Sequence, residues 1–217
     1  SGKIPSIIFW GPPGVGKTTL ANIIANTIKA PFYKLSAINS GVKDVREVIE
    51  KAKSARFFDS AAPILFIDEI HRFSKSQQDS LLNAVETGTV TLIGATTENP
   101  SFEVIRPLLS RCQVYVLRSM EKKDLEKLLQ RALTEDHILK DRKIDIKENS
   151  ALFRFSGGDA RKLLNILDLN IASFGEEEDI VLTDQMVTER LQENPAAYDK
   201  GGEMHYDIIS AFIKSIR

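Results

Sequence analysis

The sequence predicts an α/β fold, a five-stranded parallel sheet flanked by helices, followed by a small all-helical domain. Three features lead to that expectation. Short apolar runs alternate with stretches of helical period through the first half of the chain. Those runs are apolar throughout, as strands buried on both faces of a helix-covered parallel sheet are. After Leu117 the runs give way to amphipathic stripes joined by polar connections.

In order, residues 4–10 are an apolar run closed by Gly11-Pro12-Pro13-Gly14, which reads as a buried strand. From Lys17, the residues Leu20, Ile23, Ile24 and Ile28 recur on one helical face. A second strand spans 32–35 after Pro31, and Val42, Val45, Ile49 and Ala52 mark the next helix. The third strand spans 64–67, and Leu81, Leu82 and Val85 line the helix behind it. Strands four and five are expected over 89–95 and 113–117, which closes a first domain at 1–118. Leu125, Leu128, Leu129, Ala132 and Leu133 form one later stripe, and Leu163, Leu164, Leu167 and Ile171 another. A helical domain over 119–191 follows, in which the polar stretch 137–147 has room for a short strand at most. Pro195, Gly201 and Gly202 mark a linker, and a further helix starts at Met204, within a last segment 192–217. Both ends read as cut, so the chain is expected to be a piece of a longer protein.

Composition excludes several classes. A hydrophobic fraction of 42% with 27% charged residues is that of a globular protein and not of a disordered one. No apolar run approaches the ~20 residues of a membrane-spanning helix, and no charged-then-apolar leader points to secretion. The 1 Cys cannot form an internal disulfide, which fits the cytoplasm. The net charge of −1 gives no overall field for nucleic acid, so any DNA contact must come from local patches. Lys51, Lys53 and Arg56 form one such cluster, Arg72 and Lys75 another; charge runs of this size are usually solvated faces.

Gly11-Pro12-Pro13-Gly14-Val15-Gly16-Lys17-Thr18, followed by Thr19, matches G-x-x-x-x-G-K-[ST] in full, between an expected strand and an expected helix. In that context backbone N–H groups close around phosphates and the helix N-terminus adds its positive end. Lys17 then reaches the β- and γ-phosphates of ATP, and Thr18 holds Mg²⁺. Asp68 and Glu69 end the third apolar run, at the strand edge where open parallel sheets bind ligands. Asp68 suits Mg²⁺, and Glu69 suits orientation or deprotonation of the attacking water. Asp68-Glu69-Ile70-His71 also matches the D-E-x-H box of superfamily 2 helicases. Those enzymes require a second RecA-like domain where this chain has helices, so His71 reads as structural or surface.

Other residues are ambiguous by themselves. Thr96 and Thr97 follow the fourth strand, where a hydroxyl can bond the lytic water or simply leave a strand. Arg111, within Ser110-Arg111-Cys112, is either a surface residue or a donor to a transferring phosphoryl group. Cys112 reads as core filling. Arg161 follows Gly158-Asp159-Ala160 at the start of a helix.

Together these motifs resemble the AAA+ superfamily of P-loop NTPases, over nearly the whole chain and in the same order. The resemblance implies that residues 11–18 are Walker A and 64–69 Walker B. It makes Thr97 the first sensor residue, with Thr96 the alternative, and Arg161 the second. Arg111 becomes a finger reaching the neighbouring subunit's nucleotide, with Arg106 a second candidate. Within that superfamily, Ile67-Asp68-Glu69-Ile70-His71-Arg72-Phe73 and the segment from Gly94 to Glu103 resemble the RarA/MgsA family of replication-associated recombination proteins. Tyr198-Asp199-Lys200-Gly201-Gly202 and the segment from Tyr206 to Arg217 resemble it too, the latter as the start of an oligomerisation domain. The family implies a homotetrameric ATPase, stimulated by DNA, at stalled forks, ends or gaps, near single-strand DNA-binding protein.

Three other functions compete. A clamp-loader ATPase subunit shares Ser110-Arg111-Cys112, but the sequence has no cysteine-rich zinc module. A Holliday-junction branch-migration motor shares the Walker A and sensor features and should carry a winged helix after the lid. A nucleotide-gated scaffold with little turnover typically loses the equivalents of Lys17 or Glu69, and both are present.

Overall fold

The first apolar run becomes β1 (Ser6–Trp10), which lies inside a sheet and not at its border. The structure, a computed structural model, describes residues 4–36, 40–55, 62–175 and 178–194. The sheet runs in the order β2 (Phe32–Ser36), β3 (Ile64–Asp68), β4 (Thr91–Thr96), β1 and β5 (Cys112–Val116), every pair parallel. Parallel neighbours need long crossovers. These carry α1 (Lys17–Ile28), α2 (Val42–Ala55), α3 (Lys75–Glu86) and two short helices, α4 (Pro100–Glu103) and α5 (Arg106–Leu109).

The core shows why the strands read as unbroken apolar runs. Ile7, Phe9, Ile64, Phe66, Ile93 and Ala95 pack on one face with Ala21 and Ala25 of α1. Ile8, Leu65, Ile67 and Leu92 pack on the other with Val45, Ile49 and Leu81 from α2 and α3. Alternate side chains point to opposite faces and both faces are covered. Each such side chain contributes about 1.5–3 kcal/mol on burial.

Two strands depart from expectation. β4 begins two residues later than expected and runs one further, to Thr96, which matters for the site below. β5 is an edge strand whose Val114, Tyr115 and Val116 are exposed among the described residues, where a buried run was expected.

The described residues divide into two compact units between Arg118 and Ser119. The second contains α6 (Lys122–Glu135), β6 (Ile144–Ile146), α7 (Ser150–Ser156), α8 (Ala160–Ile171), β7 (Ile180–Leu182) and α9 (Asp184–Glu193). Its core joins Leu125 and Leu129 to Leu152, Leu163, Ile166, Leu167, Val187 and Leu191. It is helical except for a parallel pair, β6 with β7. Ile144 and Ile146 of β6, with Ile180 and Leu182 of β7, turn inward onto that core. A reciprocal link closes the unit: Asp184 N donates to Glu148 Oε2 at 2.9 Å, and Ala151 N donates to Asp184 Oδ1 at 2.8 Å. Residues 192 and 193, expected in a linker, still belong to α9. The rest of that linker and the helix expected from Met204 lie outside the described residues.

Candidate active site

The carboxyl ends of β1, β3 and β4 share one edge, and the candidate residues leave the sheet there. Trp10 pairs with Thr96, and Ile67 with Gly94, so Asp68 stands one step short of Thr96. Gly11 is fixed between two strands: its N–H donates to Thr96 O at 3.1 Å, while Leu117 N donates to Trp10 O at 2.7 Å. A Cβ on Gly11 would lie 2.3 Å from Leu117 O, so no other residue fits. Gly16 opens α1 at φ 88°, a backbone conformation that favours glycine.

The first turn of α1 has no side-chain cap and no acidic residue. Its amides and positive dipole end therefore suit an anion such as a phosphate. Lys17 is buried, and its Nζ donates to Gly11 O at 2.7 Å and Pro12 O at 2.8 Å, so the ammonium lies along the loop. Thr18, Pro12, Gly14 and Val15 are half-buried around it, and Pro13 and Thr19 are exposed. Among the described residues, no three His, Cys, Asp or Glu side chains converge as a metal cage. Thr18 and Asp68 offer one hydroxyl and one carboxylate, the sparse set that suits Mg²⁺ when phosphates complete its shell.

Asp68 is the last residue of β3, and Glu69 turns the chain away from the sheet in the left-handed region, φ 53° and ψ 48°. A glutamate held there stores about 1 kcal/mol or more, and such strain gathers at functional positions. The 3-10 turn Ile70–Arg72 follows, anchored by the fully buried Ile70. Gly94 makes room for that anchor, since a Cβ there would lie 2.7 Å from Ile8 Cδ1 and 3.1 Å from Ile70 Cδ1.

This turn brings in His71, which the sequence reading left structural or on the surface. Its side chain is only 13% exposed, with Nε2 3.3 Å from Glu69 Oε2 and Nδ1 3.0 Å from Thr96 Oγ1. Thr96 is fully buried, and its hydroxyl also accepts from Glu98 N at 3.0 Å. Thr97, favoured over Thr96 from the sequence, lies in the bend after the strand and makes none of these contacts. The extra residue of β4 is the physical reason.

Arg111 lies elsewhere. It precedes β5, whose first residue, Cys112, pairs with Ser6 at the start of β1. The P-loop leaves the other end of β1, about 13 Å away at about 3.3 Å per residue. Arg111 pairs with Glu86 at the end of α3, and its Nη1 donates to Pro107 O at 2.5 Å. Arg106 is exposed at the start of α5, on the same side of the sequence. Burial pushes the neighbouring Cys112 thiol up to about 11, so it stays protonated and unreactive at neutral pH. In the second unit, Arg161 is exposed on the first turn of α8, which Asp159 caps by accepting from Lys162 N at 3.0 Å.

Gln78 was missed by the sequence reading. It is 1% exposed on α3, and its Nε2 donates to Phe73 O at 3.1 Å and Glu103 O at 3.0 Å. Its Oε1 accepts from Ile105 N at 2.9 Å. One side chain thus ties the turn after Glu69 to the segment leading to Arg111. The signal was available, because Gln78 stands three and seven residues before Leu81 and Val85, on the apolar stripe itself.

Of the basic clusters, Lys51 pairs with Glu47 at 2.8 Å and Lys53 with Glu50 at 2.6 Å, as on an ordinary solvated helix face. Arg56 lies outside the described residues. Arg72 and Lys75 are exposed and pair with no carboxylate among the described residues. No described helix is long and apolar enough to cross a membrane.

Comparison with known proteins agrees with this geometry. The family model for the ATPase family associated with various cellular activities (AAA) matches residues 7–120, and the model for an AAA C-terminal domain matches 139–217. Replication-associated recombination protein A of Haemophilus influenzae is 48% identical over 100% of this chain and 49% of its own length. The Escherichia coli K12 protein of that name is 44% identical, again over 100% and 49%. ATPase WRNIP1 of Dictyostelium discoideum is 45% identical over 100% of the chain and 27% of its own length. The chain thus spans about half the length, or less, of these relatives. Among solved structures, the Thermotoga maritima RuvB Holliday junction branch migration motor superposes with a TM-score of 0.64 at 26% identity, over 90% of this chain and 64% of that one. A mutant of the same RuvB reaches 0.69 at 25% identity, over 99% and 71%.

Proposed function

We propose, from the premise that this chain belongs to the AAA family of ATPases, that it hydrolyses ATP at the P-loop edge and draws Arg111 from a neighbouring subunit. The observation that carries this reading is the placement of two half-sites at opposite ends of one sheet. Lys17, Asp68 and Glu69 lie at the carboxyl edge, and Arg111 lies beyond the far end of β1, a strand about 13 Å long at about 3.3 Å per residue. That distance from its own nucleotide site supports donation of Arg111 to another copy's.

The P-loop amides and Lys17 bind the phosphates. Thr18 and Asp68 would hold Mg²⁺, which would offset negative charge on the phosphates when bound. Glu69 orients the attacking water and takes its proton. The resemblance gives Thr97 a hydroxyl bond to the same water or the γ-phosphate, with Thr96 the alternative. Thr96 is fully buried and bonded to His71 and Glu98, which favours Thr97 for that role. The resemblance gives Arg161 the second sensor role at the phosphates, and Arg111 stabilises charge on the transferring phosphoryl group in trans.

Similarity to the replication-associated recombination proteins supports a role in replication-associated recombination. Action at stalled forks, ends or gaps, in the cytoplasm, is the finer part of the proposal. The homotetramer and the single-strand DNA-binding partner implied by that resemblance belong to the same proposal. A second reading, a branch-migration motor, is favoured by the likeness to RuvB, at much lower identity.

The test is ATP turnover by the full-length parent protein at fixed salt, alone and with single-stranded, blunt, gapped, forked and four-way-junction DNA. Stimulation by ends, gaps or forks that disappears in Arg111→Ala is the expected result. Stimulation by four-way junctions alone would favour the motor. Turnover indifferent to every DNA would leave an ATPase and point to a protein client.

A further inference from the structure

We infer that His71 is a positioning residue that couples the hydroxyl of Thr96 to the carboxylate of Glu69. The inference rests on the ATP-hydrolysing reading above and adds to it a link between the end of β4 and the group that handles the attacking water.

The backbone of Glu69 has little freedom. It is held in the left-handed region, followed at once by Ile70, whose buried side chain packs over Gly94. Only the torsions of the Glu69 side chain remain to be set, and this side chain is 30% exposed. Among the described residues the one cation or hydrogen-bond donor recorded against its carboxylate is His71 Nε2, at 3.3 Å. The imidazole in turn is fixed from behind by Thr96 Oγ1 at 3.0 Å. Thr96 belongs to the sheet, fully buried, and its oxygen accepts from Glu98 N at 3.0 Å.

The single proton of the Thr96 hydroxyl faces two acceptors, His71 Nδ1 at 3.0 Å and Glu98 O at 3.1 Å. When it goes to Nδ1, the ring proton sits on Nε2, 3.3 Å from Glu69 Oε2. The opposite tautomer would set a bare Nε2 lone pair beside a carboxylate oxygen, which repels. Thr96 keeps its acceptor role toward Glu98 N in either case. The ring thus bridges the sheet end and the carboxylate. A displacement of the β4 end on nucleotide binding would be passed to Glu69 by the ring, which touches both. Aim, and not nucleotide affinity, is what such a link controls, because the phosphate-binding amides and Lys17 lie on a separate loop.

The test uses the full-length protein, with kcat, KM for ATP, affinity for a fluorescent ATP analogue and thermal midpoint measured for each variant. His71→Ala is expected to lower kcat about 10- to 100-fold, the cost of a misaimed group, with KM and nucleotide affinity within about twofold. His71→Gln, whose amide nitrogen reaches toward the Nε2 position, should recover more activity than His71→Asn. The double variant His71→Ala with Thr96→Val should be no slower than the slower single one, since both break the same link. Wild-type kcat in His71→Ala, or losses that multiply in the double variant, would overturn the inference. If His71→Ala does not fold, the other pair decides: equal kcat for His71→Gln and His71→Asn overturns it. A wild-type protein without turnover defeats the ATPase reading itself, which is a separate outcome.

Discussion

Glu69 answers two demands that conflict. Its carboxylate must stand beside Asp68 at the strand edge, while its backbone must turn the chain off the sheet so that Ile70 can enter the core. The left-handed conformation reconciles them at a cost in stability. Two substitutions separate the demands. Glu69→Gln keeps the shape and removes the base, so turnover is expected to fall about 10²- to 10⁴-fold with nucleotide binding retained. Glu69→Gly removes the base and relieves the backbone, so turnover should fall as far while stability holds or rises by up to about 1 kcal/mol. Steady-state ATPase assays and thermal unfolding of both variants check this pair. A fall in stability for the glycine variant would show that the turn is not strained.

Polar contacts as well as the apolar core tie elements together, and buried Gln78, with three hydrogen bonds, is one that can be tested. Replacing it with Leu would leave the carbonyls of Phe73 and Glu103 and the N–H of Ile105 without that partner. A cost of about 3 kcal/mol or more in denaturant unfolding is expected, since each of the three unpaired groups costs about 1–3 kcal/mol. An unchanged unfolding midpoint would mean that water replaces the side chain freely. The same element shows what the sequence made legible. The apolar stripe of α3 is plain in Leu81, Leu82 and Val85, while Gln78, polar on that same stripe, is legible only from its spacing. The three inner strands β1, β3 and β4 were visible because burial on both faces writes them as apolar runs. The pair β6 and β7 was only half visible, because three residues give one alternation and no period. The end of β4 was misplaced by one residue, and that residue exchanges Thr97 for Thr96 in the contact with His71. A lone histidine has no pattern to read, so His71 became intelligible only through the turn that carries it.

One chain contains both halves of the proposed catalytic apparatus but cannot bring them together by itself. The register of β5 on β1 keeps Arg111 at the end of the sheet opposite the P-loop, paired with Glu86. Completion by a second copy is the proposal that this spacing supports. An arginine donated in trans is worth about 10³- to 10⁵-fold in rate. The decisive measurement is ATP turnover by full-length assemblies containing two inactive chains, one carrying Glu69→Gln and the other Arg111→Ala, co-expressed and purified together. Each homogeneous assembly should be inactive, and the mixed one should recover turnover wherever an intact Glu69 meets an intact Arg111. A homogeneous Arg111→Ala assembly that turns over at the wild-type rate, or a verified mixed assembly that stays silent, would contradict completion in trans.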